Sequence, residues 1–415
     1  MNLSSFQKPM ISQKIIRMKG STHTVLFIVV FIAVATVITT TVFDVNAVSY
    51  EKEIDIETVD VEVVKEEAII IPEEAPFIVT HIEMPEAVKG VYMSSWVAAT
   101  PSLRNKIVDM VGRTEINALV IDIKDSTGKI SFHIDNPIVN QYDSAENRIK
   151  NIKELIAGLH EKNIYVIGRV SVFQDPYLAV NYPDLAIKKK SDGGVWKDRK
   201  GLSFLDPNNK AVWDYTVAIA QEAYDVGFDE INFDYIRFPS DGNISDINYG
   251  IEEGETRADI IESFFSYLRS QLVNDEYSIP MSADLFGMVT SVNDDLGIGQ
   301  VLEKALPHFD AIAPMVYPSH YPKNWNGYAN PAANPYEVIY KAMEQGLAKS
   351  GPLGYTADVY RPWIQDFNMG ATYTTEMVEA QIKALDDLGI DSWLVWDPAN
   401  TYTEAAFADA DSMIE

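Results

Sequence analysis

The chain has 415 residues, of which 47% are hydrophobic and 23% charged, so it can bury a sizeable core and is not wholly disordered. The formal net charge is -28, from 33 Lys and Arg against 61 Asp and Glu. This acidity argues against a nucleic-acid-binding surface, which requires basic patches. The absence of cysteine excludes disulfides, thiolate metal sites and a cysteine nucleophile. The six histidines show no metal-ligand spacing, which disfavours a histidine-based metal hydrolase.

The N-terminal region is basic and then apolar. Residues 1–23 contain four basic and no acidic residues, and residues 24–43 (TVLFIVVFIAVATVITTTVF) carry no charge. A run of this length predicts a transmembrane helix with the basic tip in the cytoplasm and the rest of the protein outside the cell membrane. The alternative is a cleaved signal peptide, since Val45-Asn46-Ala47 is similar to a small-residue cleavage site. Either interpretation predicts an exported protein.

Residues 44–86 form an acidic zone. They hold thirteen acidic residues against two lysines, together with three prolines. Alternating stretches such as 53–57 (EIDIE) could pair as an edge strand, but like-charge repulsion and the prolines favour an extended stalk.

Residues 87–415 alternate between short apolar runs and amphipathic stretches. The runs predict strands at 88–96, 118–124, 164–172, 229–235, 279–285, 310–317, 353–356 and 392–396. Helices are predicted at 102–113, 146–162, 210–226, 256–274, 301–306, 335–349, 375–388 and 403–413. Eight such units predict an α/β fold, a (β/α)8 TIM barrel. A doubly wound sheet is the competing fold, but it would favour a glycine-rich phosphate turn, and the sequence has none.

Charged and polar residues recur where the predicted strands end, which is where a barrel places its active site. A charge among apolar residues is costly unless it is paired, so these side chains are candidates for pairing or for function. They are Asp122, Lys124, Arg169, Asp234, Arg237, Asp284, Tyr317 and Asp397.

The two candidate catalytic residues are Asp234 and Asp284. Strand periodicity places Glu230, Asn232 and Asp234 on one inward face, with Arg237 expected close to Asp234. Asp284 is expected at the same level on the next strand. Two carboxylates facing one space are what glycosidic bond cleavage requires. Asp234 could instead form a structural pair with Arg237, and Asp284 could cap a helix or bond a loop.

Aromatic residues are concentrated at the same rim, and their flat faces suit sugar rings. Trp96 and Trp396 are candidates for substrate binding, although single aromatic residues more often pack in a core. Asp122, Lys124 and Arg169 either hold substrate hydroxyls or form a buried ionic network. Asp397 either contacts substrate or seals the barrel top by hydrogen bonds.

Seven segments carry a resemblance to a known family. They are GVYMSSW (90–96), NALVIDIKDSTGKISF (117–132), FDEINFDYIRFPSDG (228–242), SADLFG (282–287), APMVYPSHY (313–321), RPWIQDF (361–367) and LVWDPANTY (394–402). The sequence resembles the glycoside hydrolase-like domain family of bacterial exported proteins. The resemblance implies a TIM barrel over residues 88–410 and matches Asp234 to the catalytic acidic residue that ends the fourth strand in related barrels.

Two functional hypotheses follow. The first is a membrane-anchored glycoside hydrolase of a cell-envelope or extracellular polysaccharide. Asp234 would be the nucleophile or base and Asp284 the general acid, with Arg237, Arg169 and Tyr317 orienting the sugar. The second is a catalytically silent carbohydrate-binding barrel. Neither requires a cofactor, and the acidity of the exported part favours a neutral or locally cationic glycan.

Overall fold

The computed structural model describes residues 77–407, and eight strands in this part of the chain form a closed parallel barrel. Each strand pairs with its neighbours in chain order, and the first pairs with the last. This is the predicted (β/α)8 architecture. The strands are β1 (Lys89–Met93), β2 (Ala118–Lys124), β3 (Tyr165–Ser171), β4 (Glu230–Asp234), β5 (Met281–Phe286), β6 (Ala311–Met315), β7 (Trp363–Gln365) and β8 (Trp393–Trp396).

Helices between the strands supply the outer layer. Proline occupies the first helical turn at Pro101 and Pro335, and Thr256 and Asp259 form a capping box. The helices are α1 (Ser95–Ala99), α2 (Pro101–Val111), α3 (Pro137–Asn140), α4 (Ile152–His160), α5 (Pro176–Asn181), α6 (Lys210–Asp225), α7 (Arg257–Leu272), α8 (Leu302–Ala305), α9 (Pro335–Ser350) and α10 (Thr375–Asp386).

Strand register explains which side chains enter the barrel. All residues of β2 and β3 are buried, because β2 and β3 are covered by helices outside and by side chains inside. Asp122 of β2 pairs with Arg169 of β3, and the register then shifts between Asp122 and Lys124. A bulge of this kind re-aims the side chain that follows it. Asp122 therefore faces the interior, whereas Lys124 reaches the carboxylate of Asp175 outside the cleft.

The structure corrects the predicted seventh strand. Residues 353–356 form no strand, because Gly354 adopts a left-handed φ of 90° that ends a short 3-10 turn. The strand is Trp363–Gln365, which is wholly buried and pairs with β8. The predicted final helix at 403–413 is seen as a 3-10 turn at Glu404–Phe407, and the rest lies outside the described residues.

The end of the predicted stalk contacts the barrel. The backbone N–H of Ile82 donates to the carboxylate of Asp229 at 2.7 Å, and the same carboxylate bonds His160 at 3.0 Å. Residues 77–86 therefore lie against the face where the strands begin. The predicted transmembrane segment, 24–43, lies outside the described residues. Within 77–407, no helix has the length and apolar character needed to cross a membrane.

Candidate active site

A cavity of about 360 Å³ opens at the carboxyl ends of the strands, where the sequence predicts the site. The predicted residues that line it are Arg169, Asp234, Arg237, Asp284, Tyr317 and Trp396. This volume is within the range of small-ligand sites, about 300–1,000 Å³. The cavity is therefore the candidate active site.

Arg169 lies at the centre of the charged groups. Its Nη1 donates to Asp122 Oδ1 at 2.6 Å, and its Nη2 donates to Asp234 Oδ2 at 2.5 Å. Its Nε lies 3.9 Å from Asp284 Oδ2. The guanidinium thus gathers carboxylates from β2, β4 and β5 around one planar group, and charge-assisted bonds of this kind fix their orientation. The ionic network proposed for Asp122 and Arg169 is present.

Asp234 ends β4 and is held from both sides. Its Oδ2 accepts from Arg169, while its Oδ1 accepts the backbone N–H of Tyr235 at 2.5 Å. Tyr235 has a φ of 53°, a left-handed conformation that is unusual for a bulky aromatic residue. Such backbone strain is typical of functional sites. Here it turns the Tyr235 N–H back towards the carboxylate.

Asp284 is the more deeply buried acid, with 1% of its surface exposed. Its Oδ1 accepts from Trp363 Nε1 at 2.7 Å and from Asn232 Nδ2 at 2.8 Å. Burial, and then the negative charge of Asp234, raise the pKa of Asp284 to about 8. Asp284 therefore holds a proton at neutral pH, as a general acid must.

The two carboxyl groups face the same space. Asp234 Oδ2 lies 3.2 Å and Asp284 Oδ2 lies 3.9 Å from Nε of Arg169. Since both distances are measured from one atom, the two oxygens are at most about 7 Å apart, which does not exceed the largest separation used for glycosidic bond cleavage, about 9.5 Å.

Aromatic rings form the walls of the cavity. Trp396 stacks on Tyr92 with ring centroids 4.0 Å apart, and Trp363 meets Trp396 edge-on at 5.5 Å. Tyr317 and Phe286 also line the cavity. Flat apolar faces beside charged groups suit the two kinds of surface that a sugar ring presents.

Arg237 does not pair with Asp234 as expected. Its Nη1 donates to the carbonyl of Phe238 at 3.1 Å and to Ser240 Oγ at 3.3 Å. Its guanidinium lies over the rings of Tyr235 and Phe286, at 5.2 and 4.8 Å. After the strained turn at Tyr235, the Arg237 guanidinium lies away from the Asp234 carboxylate. Arg169 makes the ion pair with Asp234 that was predicted for Arg237.

Lys124 and Asp397 have structural partners outside the cavity. Lys124 Nζ lies 2.8 Å from Asp175 and donates to the carbonyl of Ser171 at 2.6 Å. Lys124 is 1% exposed and does not line the cavity, so it forms part of a buried ionic network and is not placed to hold hydroxyls. Asp397 accepts the backbone N–H groups of Ala399 and Thr401, which orders the loop after β8.

Trp96 lies on the surface beyond the cavity. It is 63% exposed, and the guanidinium of Arg148 lies 4.2 Å from its ring. It does not line the cavity, so any sugar that it contacts would be distant from the two carboxylates.

Tyr92 was missed by the sequence analysis. Its hydroxyl donates to Asp122 Oδ2 at 2.6 Å and completes the network around Arg169. Asn232 was expected only as an inward-facing residue, and Trp363 was part of the segment RPWIQDF, yet both bind Asp284. The alternation of β1 could have identified Tyr92, whereas the partner of Trp363 depends on the position of β7, which was predicted wrongly.

Within residues 77–407, no group of three or more His, Asp or Glu side chains could hold a metal ion.

Solved structures with similarity to the chain include an uncharacterised protein and two glycoside hydrolases. A hypothetical protein from Ruminiclostridium thermocellum is 37% identical over 50% of this chain and 98% of its own, with a TM-score of 0.42. The α-galactosidase TtGalA from Thermus thermophilus is 11% identical over 79% of this chain and 60% of its own length, with a TM-score of 0.47. The glycoside hydrolase domain of PelA from Pseudomonas aeruginosa is 12% identical over 77% of this chain and 98% of its own length, with a TM-score of 0.43.

The search of curated proteins finds no match. A family model described as "Putative glycosyl hydrolase domain" matches residues 90–402, which span the barrel from β1 to the loop after β8. Because the match covers three-quarters of the sequence and the whole described cleft, the chain belongs to this glycosyl hydrolase-like domain family.

Proposed function

We propose that the protein is an exported, membrane-anchored glycoside hydrolase that cleaves a cell-envelope or extracellular polysaccharide by a two-carboxylate mechanism. One observation carries the proposal: Asp234 and Asp284 face one cavity, and burial gives Asp284 a pKa of about 8 while Arg169 pairs with Asp234. Environments that separate the protonation of two carboxyl groups are typical of acid and base pairs. Family membership supports the same reaction class.

In the proposed mechanism, the proton of Asp284 passes to the glycosidic oxygen as the bond to the anomeric carbon breaks. Asp234 either attacks the anomeric carbon, forming a glycosyl ester that water then hydrolyses with Asp284 as the base, or takes a proton from a water whose oxygen attacks that carbon. The upper limit of about 7 Å between their oxygens admits both routes. Arg169 orients Asp234, and Tyr317 and Trp396 hold the sugar ring.

The proposed location rests on the N-terminal sequence. Residues 24–43 are uncharged and long enough for one membrane crossing, and the basic residues that precede them favour a cytoplasmic N-terminus. The acidic residues 44–76 would then separate the barrel from the membrane.

The test is the release of reducing sugar from purified cell-envelope and extracellular polysaccharides by the full chain. We expect release by the wild type and a loss of at least about a thousandfold in Asp234→Asn, since removal of a nucleophile or base costs several kcal/mol. Asp391→Asn, at an exposed position, is the matched control. Binding of a glycan with no cleavage across the panel would favour the silent carbohydrate-binding barrel.

A further inference from the structure

Arg237 is a buried cation in the wall of the cavity. It is 8% exposed and lines the same space as Asp234 and Asp284. Among residues 77–407, no carboxylate forms a salt bridge with its guanidinium, and its Nη1 donates to the Phe238 carbonyl at 3.1 Å and to Ser240 Oγ at 3.3 Å. Asp234 and Asp241 act on it only at longer range. This guanidinium therefore lacks the anionic partner that buried arginines usually have.

Arg169, the other arginine in the cavity wall, has the anionic partners that Arg237 lacks. Arg169 is surrounded by Asp122 and Asp234, so its charge is neutralised within the protein. Burial lowers the pKa of Arg237, which means that its charged form is desolvated without full compensation. A charge held in this way costs free energy that a bound anion would recover.

The position of Arg237 is fixed by its neighbours. Its guanidinium lies over the rings of Tyr235 and Phe286, at 5.2 and 4.8 Å from their centroids, and both rings also line the cavity. Stacking holds the planar group in one orientation and leaves its edge for hydrogen bonding, the geometry in which arginine binds carboxylate or phosphate.

The charges around the cavity favour an anion at this point. Asp122 and Asp234 contact Arg169 and offset its charge, whereas among residues 77–407 no carboxylate forms a salt bridge with Arg237. Burial keeps His320, which also lines the cavity, neutral by lowering its pKa. The acidic surface favours a neutral or cationic glycan, but its field is screened within about 10 Å at 0.1 M salt. The local charge therefore governs recognition of a group inside the cavity.

We propose that Arg237 binds an anionic substituent of the sugar in the cleft, either the carboxylate of a uronic acid or a phosphate ester. The inference rests on the proposed function, because it assigns a substrate class to the same cavity. Arg237 would act in specificity, by pairing with a group on the sugar ring away from the bond that is cleaved.

The first experiment changes the ligand and leaves the protein intact. Binding of sugars to the full chain is followed by tryptophan fluorescence, to which Trp396 in the cavity wall contributes. The probes are glucuronic and galacturonic acid, their methyl esters, glucose 6-phosphate, and neutral glucose and galactose. We expect at least one anionic sugar to bind about ten- to a hundredfold more tightly than its neutral counterpart, the value of charged hydrogen bonds. Tighter binding of a uronic acid would identify a carboxylate as the group that Arg237 binds. Tighter binding of glucose 6-phosphate would identify a phosphate ester as that group.

The second experiment changes Arg237. In Arg237→Met the preference for the anionic sugar should disappear while binding of the neutral sugar is retained, and Arg237→Lys should recover part of it. Arg199→Met removes one charge from an exposed position and should preserve the preference. Equal binding of anionic and neutral sugars by the wild type, or an unchanged preference in Arg237→Met, would overturn the inference.

The two proposals fail in different ways. Anion binding that depends on Arg237, with no cleavage of any polysaccharide, would support this inference and contradict the proposed hydrolase. Cleavage of a neutral polysaccharide, with no preference for anionic sugars, would contradict this inference and support the hydrolase.

Discussion

Replacement of Asp284 by asparagine should change how stability depends on pH. Asparagine can keep the acceptor oxygen that binds Trp363 and Asn232, and it removes only the ionisable group. Burial and the neighbouring Asp234 raise the pKa of Asp284 to about 8, compared with about 3.9 for an unperturbed aspartate. The native protein therefore retains a proton that the unfolded chain releases.

The size of the expected change in unfolding free energy follows from the raised pKa of Asp284. The stabilisation that protonated Asp284 gives is complete below about pH 4 and is lost as the pH rises towards about 8. Each pH unit in this window costs about 1.4 kcal/mol, so the wild type should lose about 4 kcal/mol relative to Asp284→Asn between pH 5 and pH 8. Both proteins are unfolded with urea at each pH, as full chains in mild detergent.

The difference between the two proteins reports Asp284 together with its interaction with Asp234, because the remaining titrating residues are common to both. Asp391→Asn, at an exposed position, should show no such change. If the difference in unfolding free energy between wild type and Asp284→Asn is the same at pH 5 and pH 8, Asp284 is ionised in the native protein and cannot be the general acid.

Three further substitutions test other parts of the structure. Lys124→Met leaves the buried carboxylate of Asp175 without its partner, so the free energy of unfolding in urea should fall by about 3–5 kcal/mol. The control Lys197→Met, at an exposed position, should leave this free energy unchanged. An equal effect of the two substitutions would contradict the buried pair. Gly287→Ala places a Cβ 2.3 Å from the backbone oxygen of Met315, and the enforced shift should cost about 1–3 kcal/mol in the same assay; an unchanged midpoint would show that this loop yields freely. Trp96→Ala should raise KM for a polysaccharide about two- to tenfold and leave the shortest cleaved oligosaccharide unaffected; an equal rise for both would place Trp96 at the reacting sugar.

The barrel was predictable because its signals are local. The apolar run 118–124 (ALVIDIK) is read as a buried strand from composition alone, and alternation along β4 places Asn232 and Asp234 on the inner face. Strand order along a parallel barrel then brings Asp234 and Asp284 side by side. The placement of these two candidate carboxylates on neighbouring strands needed no more than these patterns.

The errors arose where tertiary contacts override local pattern. The three-residue strand Trp363–Gln365 is too short for periodicity to identify, and its burial is known only once the barrel closes. The bulge after Asp122 redirects Lys124 from the inner face that alternation predicts. The chain leaves β4 through a left-handed turn at Tyr235, and Arg237 does not make the expected pair with Asp234.

The roles of the two carboxyl groups can be separated by the leaving group of the substrate. For this measurement, Asp234→Asn and Asp284→Asn are assayed on a glycan that the wild type cleaves and on the matching 2,4-dinitrophenyl glycoside, whose leaving group needs no protonation. We expect Asp284→Asn to lose activity on the glycan but to cleave the activated glycoside, and Asp234→Asn to lose both. Full glycan activity in either variant, or equal losses on both substrates in Asp284→Asn, would contradict the proposed two-carboxylate mechanism.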